Sequence, residues 1–315
     1  MTWRVLISAP YLLPVLEDYR PRLEAEGVEI VRADVRERLS EAELLSLVGT
    51  LDGVICGDDQ FTERVLERSV PRLKVISKWG TGIDSIDARA AAKLGIRLCN
   101  TPNAFTDAVA DTALGYILCF ARRLPWMDRE IRRGLWTKPD AISLRDRTLG
   151  VVGVGNIGKA VVRRARAFGM RVIGTDPLPP PVPFIEETGL QLVSLRALLK
   201  EADFISLHCD LNATSFHLIG RAELAIMRSS AYLINTSRGA VIDEPALFAA
   251  LNERRIAGAA LDVFEVEPLP ADSPLRSLAG CLLLAPHNAN SDLAARRRVH
   301  EATIANLLSA LREAG

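Results

Sequence analysis

Residues 148 to 177 read TLGVVGVGNIGKAVVRRARAFGMRVIGTDP, and few backbone arrangements accommodate them. A short apolar run, Leu149 to Val152, fits a buried strand. Gly153, Val154, Gly155, Asn156, Ile157 and Gly158 follow as G-x-G-x-x-G. A helical pattern runs from Lys159 to Phe168, Gly169 stops it, Val172 to Gly174 reads as a second strand, and Asp176 closes the unit. Gly153 permits the tight turn from strand to helix, Gly155 lets backbone approach a pyrophosphate, and Gly158 lets the helix pack on the strand. The helix N-terminus offers N–H groups and a partial positive charge to the phosphates. Asp176 lies 23 residues after Gly153, where a carboxylate grips a ribose 2′-hydroxyl and repels a 2′-phosphate. A lone glycine motif is weak. Strand, glycines, helix, strand and acid in register predict a dinucleotide site, for NAD rather than NADP.

The rest of the chain alternates strand and helix around this unit. Before residue 100 the predicted strands are Val5–Ser8, Glu29–Val31, Gly53–Cys56, Lys74–Ser77 and Ile96–Cys99. Helical stretches between them are Tyr11–Glu26, Glu41–Val48, Glu63–Arg68 and Ile86–Leu94. Near Asn100-Thr101-Pro102-Asn103 the pattern changes to two helices, Asp107 to Arg122 and Trp126 to Arg133. After the glycine unit come strands Phe204–Leu207, Tyr232–Asn235, Ala259–Leu261 and Leu282–Leu284, then a last helix, Asp292 to Glu313. Such alternation gives parallel sheets covered on both faces. The expected fold class is α/β, with two Rossmann-like doubly wound domains. A flavodoxin-like substrate domain is expected from residues 1–100 and 286–315, and an NAD-binding domain from 101–285. The prolines of Pro177-Leu178-Pro179-Pro180-Pro181 exclude helix and central strand there.

Composition removes several classes of function. Lys plus Arg equals Asp plus Glu at 39 each, so nothing points to nucleic acid or an anionic membrane surface. Five scattered cysteines (Cys56, Cys99, Cys119, Cys209, Cys281) fit reduced thiols in the cytoplasm, with no metal-ligand spacing. The apolar N-terminus carries two prolines and no clear cleavage site, so it reads as a first strand and turn rather than a signal peptide. No stretch reaches the length of a membrane span.

Ligands of open parallel sheets sit beyond the carboxyl ends of the strands. Four further segments end strands there with reactive groups: Lys78-Trp79-Gly80-Thr81-Gly82-Ile83-Asp84, Asn235-Thr236-Ser237-Arg238-Gly239, Asp262 to Pro268, and Pro286-His287-Asn288. Together with CNTPNAFTDAVAD and TLGVVGVGNIG, the runs GTGIDSID, NTSRGAVIDEPAL, LDVFEVEP and APHNA resemble the D-isomer-specific 2-hydroxyacid dehydrogenases over nearly the whole chain. That resemblance implies an NAD-dependent oxidoreductase acting on a CH–OH group. It implies an Arg–Glu–His constellation on Arg238, Glu267 and His287, and a homodimer built through the Asp107–Arg122 helix.

Each implied role has a physical basis. A hydroxyl proton must leave as hydride does, and imidazole titrates near neutrality, which suits His287. Glu267 would bond the other ring nitrogen and favour imidazolium. Arg238, permanently charged and fork-shaped, would hold the substrate carboxylate and polarise the reacting oxygen. The N–H groups of Gly80 and Thr81 would take the remaining carboxylate oxygens, with Lys78, Trp79 and Phe105 beside them. Cofactor contacts are expected from the glycine motif, Asp176, Thr236, and the backbone of His208 and Cys209. Asp262 either bonds the nicotinamide amide or caps a turn. His208, His217 and His300 read otherwise as structural, and Asp84 and Asp87 as helix caps.

Departures from the family pattern bear on the substrate. Asn288-Ala289-Asn290 replaces a Gly-rich stretch, and Phe105 stands where several members have Asn. Cys56-Gly57-Asp58-Asp59 is acidic where phosphoglycerate enzymes place arginine, leaving Lys78 as the anion partner for any phosphorylated or phosphonate substrate. No regulatory domain is expected after Gly315. Phosphite oxidation, or an NADH-sensing corepressor-like binding protein, are the alternatives.

Overall fold

Every strand pairing in the computed structural model, which describes residues 2–315, is parallel. Two sheets result, and the chain divides into two units at 105/106 and 291/292.

The first unit begins with β1 (Trp3–Ile7), α1 (Leu16–Ala25), β2 (Val28–Arg32), α2 (Glu41–Leu47), β3 (Gly53–Cys56), α3 (Glu63–Ser69), β4 (Val75–Lys78), α4 (Ala88–Lys93) and β5 (Arg97–Cys99). The strand order is β2-β1-β3-β4-β5, the flavodoxin-like arrangement expected from the alternating pattern. Helix starts follow local chemistry. Ser40 and Glu43 form a reciprocal capping box, and Asp87 accepts the Ala90 N–H at 2.9 Å.

The second unit contains α5 (Thr106–Arg122), α6 (Leu124–Arg132), β6 (Thr148–Val152), α7 (Asn156–Ala167), β7 (Arg171–Thr175), α8 (Val182–Thr188), β8 (Gln191–Leu192), α9 (Leu195–Glu201), β9 (Phe204–Leu207), α10 (Arg221–Ile226), β10 (Tyr232–Asn235), α11 (Glu244–Asn252), β11 (Gly258–Leu261) and β12 (Leu282–Leu284). Its order is β12-β11-β10-β9-β6-β7-β8. Strand alternation divides the core between two faces. Ile205, Leu207, Leu233, Ala259 and Leu261 pack with α9 to α11. Phe204, Ile234, Ala260, Leu149 and Val151 pack with α5 and α7. Gly150 matters to the first face, because a Cβ there would press on the Leu198 side chain.

The chain then returns to the first unit as α12 (Leu293–Ala314), which lies on β3, β4 and β5. Gly53 leaves room for Leu307, and the Ser77 hydroxyl donates to the Thr303 carbonyl at 2.8 Å. Val54 and Ile76 point to the opposite face, among Leu44, Leu66 and Ala90.

Differences from the sequence reading have local causes. β8 is two exposed residues without an apolar run, so no periodicity marks it. Helices α8 to α11 were not singled out; they are six to nine residues long, too short for a strong period. The Tyr11–Glu26 stretch opens as a 3-10 turn at Leu13–Val15, with Pro14 within it, before α1.

Candidate active site

The second sheet aligns its strand ends in one row. Thr175 pairs with Val152, Val152 with Leu207, Leu207 with Asn235, Asn235 with Leu261, and Leu261 with Leu284. The next residue of each strand therefore falls on one edge: Asp176, Gly153, His208, Thr236, Asp262 and Ala285. Strand order reverses between β6 and β9, the place where parallel sheets open a crevice for a ligand.

Gly153 stands at that switch point with φ +86°. A Cβ there would lie 2.7 Å from the backbone of His208 and Cys209, so only glycine fits by both conformation and space. A Cβ on Gly158 would run into the Gly153 carbonyl, which seats α7 tightly under the turn. Gly155 is the N-cap of α7, and nothing lies within 4 Å of where its Cβ would be. The entrance to the helix is thus open, with Asn156 and Ile157 forming its first turn. Asp176 accepts the Val154 N–H and the Leu178 N–H, each at 2.7 Å, which fixes the carboxylate beside the glycine turn.

Two buried polar atoms on this edge have no partner, His208 Nδ1 and Thr236 Oγ1. Buried polar atoms are normally satisfied, so these two are open to a ligand's hydrogen bonds. Burial lowers the His208 pKa to about 4, which keeps the ring neutral, and its Nε2 meets the Ser206 hydroxyl at 2.8 Å. The glycine cradle, the fixed acid and the orphaned pair together fit a dinucleotide. Tyr116, pushed upward by burial, stays a neutral phenol under the neighbouring Asp262.

The other half of the edge gathers charged groups. Asn235 shapes the turn after β10: its Nδ2 donates to the Arg238 carbonyl at 2.9 Å, and its Oδ1 accepts from the Ser237 N–H and hydroxyl. Arg238 Nη1 donates to the Ser237 carbonyl at 2.9 Å. Gly239 abuts the backbone of Phe264 and Glu265 so closely that no side chain could stand there. That contact brings the Arg238 turn against the segment carrying Glu267. Glu267 accepts the Phe264 N–H on Oε1 at 2.9 Å and meets His287 Nδ1 with Oε2 at 2.8 Å. His287 itself has φ +49°, a left-handed conformation uncommon for a side-chain-bearing residue. It is held by its N–H to the Asp262 carbonyl at 2.7 Å. The Asp262 carboxylate accepts the N–H groups of Asn288 and Ala289, so it caps the turn after His287.

In the first unit, two of the sequence-predicted residues, Lys78 and Gly80, are engaged within the protein. Lys78 is buried; its Nζ donates to the Trp79 carbonyl at 2.9 Å and pairs with Asp58 at 3.1 Å. The Gly80 N–H, expected to hold a carboxylate, instead donates to the Thr101 hydroxyl at 3.1 Å. That hydroxyl lies 21 residues away in sequence, and the loop with Gly80 at φ +111° turns the N–H toward it. The Thr81 hydroxyl donates to the Thr101 carbonyl at 3.0 Å. Trp79 and Phe105 are both buried, with ring centroids 5.4 Å apart. Trp79 also stacks on Tyr11 at 4.8 Å and donates from Nε1 to His300 Nδ1 at 2.9 Å. Burial, then the nearby Arg296 charge, lowers the His300 pKa, which suits an acceptor nitrogen. Asp58, Thr101 and Asn235 lie in segments the sequence marks, but their roles as partners of Lys78, Gly80 and the Arg238 turn are contacts that sequence spacing does not show.

A doubly wound unit with a glycine cradle at its switch point defines a dinucleotide-binding protein, and the His287–Glu267 pair and the Arg238 turn lie on the same edge. Residues 114–289 match the family described as D-isomer specific 2-hydroxyacid dehydrogenase, NAD binding domain. The glyoxylate reductase of Korarchaeum cryptofilum is 42% identical over 247 residues, covering 76% of this chain and 74% of that one. The D-3-phosphoglycerate dehydrogenase of Methanocaldococcus jannaschii is 41% identical over 84% of this chain, which spans only 50% of that longer protein. The crystal structure of D-lactate dehydrogenase from Aquifex aeolicus, complexed with NAD and lactic acid, has a TM-score of 0.88 at 27% identity, over 98% of this chain and 96% of that one. The chain belongs to the D-isomer specific 2-hydroxyacid dehydrogenase family, and it is an NAD-dependent oxidoreductase of 2-hydroxy acids.

Proposed function

We propose that this enzyme reduces a small, unphosphorylated 2-oxo acid of the glyoxylate and hydroxypyruvate type to the corresponding 2-hydroxy acid, the D isomer where the product is chiral. The observation that carries the assignment of roles is the 2.8 Å His287–Glu267 pair, set on the edge where the NAD cradle opens. Bound NAD supplies the hydride donor and acceptor at its nicotinamide ring. For each hydride delivered to the keto carbon, one proton must reach the keto oxygen, and His287 supplies it. Glu267 holds Nδ1, so Nε2 is the nitrogen that addresses the substrate. The Glu267 carboxylate stabilises the imidazolium before transfer and fixes the ring afterwards. Arg238 binds the substrate carboxylate and polarises the carbonyl; the turn built by Asn235 and Gly239 sets its place. In the oxidative direction the same groups act in reverse, with neutral His287 as the base.

The first unit, residues 2–105 with 292–315, is the substrate domain in this reading, and 106–291 is the cofactor domain. Thr81 supplies the backbone N–H for the substrate carboxylate, since that of Gly80 is engaged by Thr101. The charge of Lys78 is met by Asp58, which weighs against a substrate phosphate at this loop. A homodimer is supported by the apolar surface of α6 and the segment after it, where Ile131, Leu135 and Trp136 are exposed. A cytoplasmic location fits the five free thiols.

The experiment is NADH consumption with glyoxylate, hydroxypyruvate, pyruvate, phenylpyruvate and phosphohydroxypyruvate, repeated with NADPH. Fastest turnover of glyoxylate or hydroxypyruvate with NADH is expected. Preference for the phosphorylated acid would overturn the substrate assignment. A single-peak mass near 34.4 kDa by light scattering would overturn the dimer.

A further inference from the structure

We propose that His217, Glu265 and Glu244 form a brace that keeps the Glu267 loop in position, making His217 a positioning residue for proton transfer. The inference rests on the assignment of Glu267 and His287 given above.

The second unit contains two His–Glu pairs on neighbouring loops. Glu267 meets His287, and two residues earlier Glu265 meets His217 Nε2 at 2.9 Å. Both histidines adopt the left-handed backbone, at φ +49° and φ +48°. That conformation is disfavoured for any residue with a Cβ and concentrates where the surroundings enforce it. His217 is held there by its N–H to the Ala240 carbonyl at 2.8 Å, just past Arg238 and Gly239. Ile219 then bridges Ile242 in parallel, so the segment carrying His217 runs alongside the Arg238 turn.

Glu265 is anchored from three directions. Its Oε1 accepts both from His217 and from the N–H of Glu244, at 3.1 Å. Its own N–H donates to Glu244 Oε1 at 2.6 Å. Glu244 is the first residue of α11, where a negative charge is favoured. Glu265 is therefore clamped between a helix start and an imidazole, and its backbone rests against Gly239. This clamp restrains the segment that continues to Glu267.

Three carboxylates, Glu244, Glu265 and Glu267, crowd this loop. Burial raises the Glu244 pKa, and the charges of Glu265 and Glu267 raise it further. A hydrogen-bond donor aimed at Glu265 offsets that repulsion, and His217 is the side chain in place to give it. The exposed Phe216 ring stacks on His217, with centroids 4.0 Å apart, and covers one face of the imidazole. His217 thus has a partner, a backbone lock and a cover, beyond what a surface histidine needs.

The test compares His217→Ala, His217→Gln and His217→Glu, with Glu267→Gln and His287→Ala as references. Substrate is whichever of glyoxylate, hydroxypyruvate or pyruvate is turned over fastest. His217→Ala is expected to lower kcat by about 10- to 100-fold, the size that outer hydrogen-bond partners have, while the NADH Kd stays within about twofold. His217→Gln, whose amide can still donate to Glu265, should recover most of the loss. His217→Glu adds a fourth carboxylate and should be worse than Ala. In His217→Ala the high-pH limb of the reduction profile should move to lower pH, because a displaced Glu267 supports the imidazolium less. Should His217→Ala fail to fold, the Gln and Glu variants decide alone. Wild-type kcat in His217→Ala, or equal kcat in Gln and Glu, would overturn the brace. Full activity in Glu267→Gln and His287→Ala would instead overturn the assignment on which it rests.

Discussion

The two sheets carry their polar groups at the same edge but close them differently. In the first, Lys78 is matched by Asp58, Asp59 by the Ser8 hydroxyl and the Leu39 N–H, and Trp79 by His300. In the second, His208 and Thr236 each keep a buried atom without a partner, and two histidines hold left-handed backbones. Parallel sheets direct chemistry to one edge whatever the sequence. What separates the two is how the polar groups are met: on the first edge the charges pair within the protein, although the Ser85 hydroxyl is buried without a partner, and on the second an imidazole nitrogen and a hydroxyl are left open.

The sharpest way to break this contrast is at the open edge. His287→Ala should lower kcat by about 10²- to 10⁴-fold, the range of general acid–base catalysis, with NADH still bound. Steady-state kinetics beside NADH fluorescence titration checks both halves. Gly153→Val should abolish NADH binding, because a Cβ meets the His208 and Cys209 backbone at 2.7 Å in a left-handed turn. Isothermal titration of NADH against this variant, with circular dichroism to confirm folding, would show it. Asp176→Ala should narrow the preference for NADH over NADPH by about tenfold or more, as a ratio of kcat/KM values.

The smallest effect is expected at the first edge, and it concerns stability. Burial pushes Asp59 up to about 6 from its ordinary 3.8, partly opposed by the Leu39 and Ser8 hydrogen bonds. The folded state holds this proton more tightly than the unfolded one. The group's contribution is therefore full below about pH 4 and is lost as pH rises through about 6. Asp59→Asn should flatten the decline of Tm with rising pH across that window. It should also gain roughly 2 kcal/mol at pH 7 if the Leu39 bond is kept. An unchanged Tm profile between pH 4 and 7 would show that Asp59 is not strained by its burial.

Much of the open edge was legible because its chemistry is local. The turn from Gly153 to Gly158 needs glycine at named positions, and a helix and an acid follow at fixed distance. The strands bearing Asn235 and Leu261 are four residues long, largely buried, and end where the reactive segments begin. The first edge was less legible. Gly80 loses its N–H to Thr101, and Lys78 its charge to Asp58, through contacts between loops that no motif joins. His217 was read as structural for the same reason: Glu265 is 48 residues away, and only the order of β9, β10 and β11 brings their loops together.

Helix α12 bears on how the chain is made. The second unit is continuous in sequence, whereas the first draws its residues from both ends. During synthesis β3 and β4 emerge early, with the Gly53 hollow and the Ser77 hydroxyl bare until Leu307 and Thr303 arrive to cover them. The ribosome must deliver α12 before the first-born sheet can be finished, while the later-born unit can already have folded. Completion of the two sheets is therefore expected to run opposite to the order of translation, with the newborn sheet left uncovered for longest.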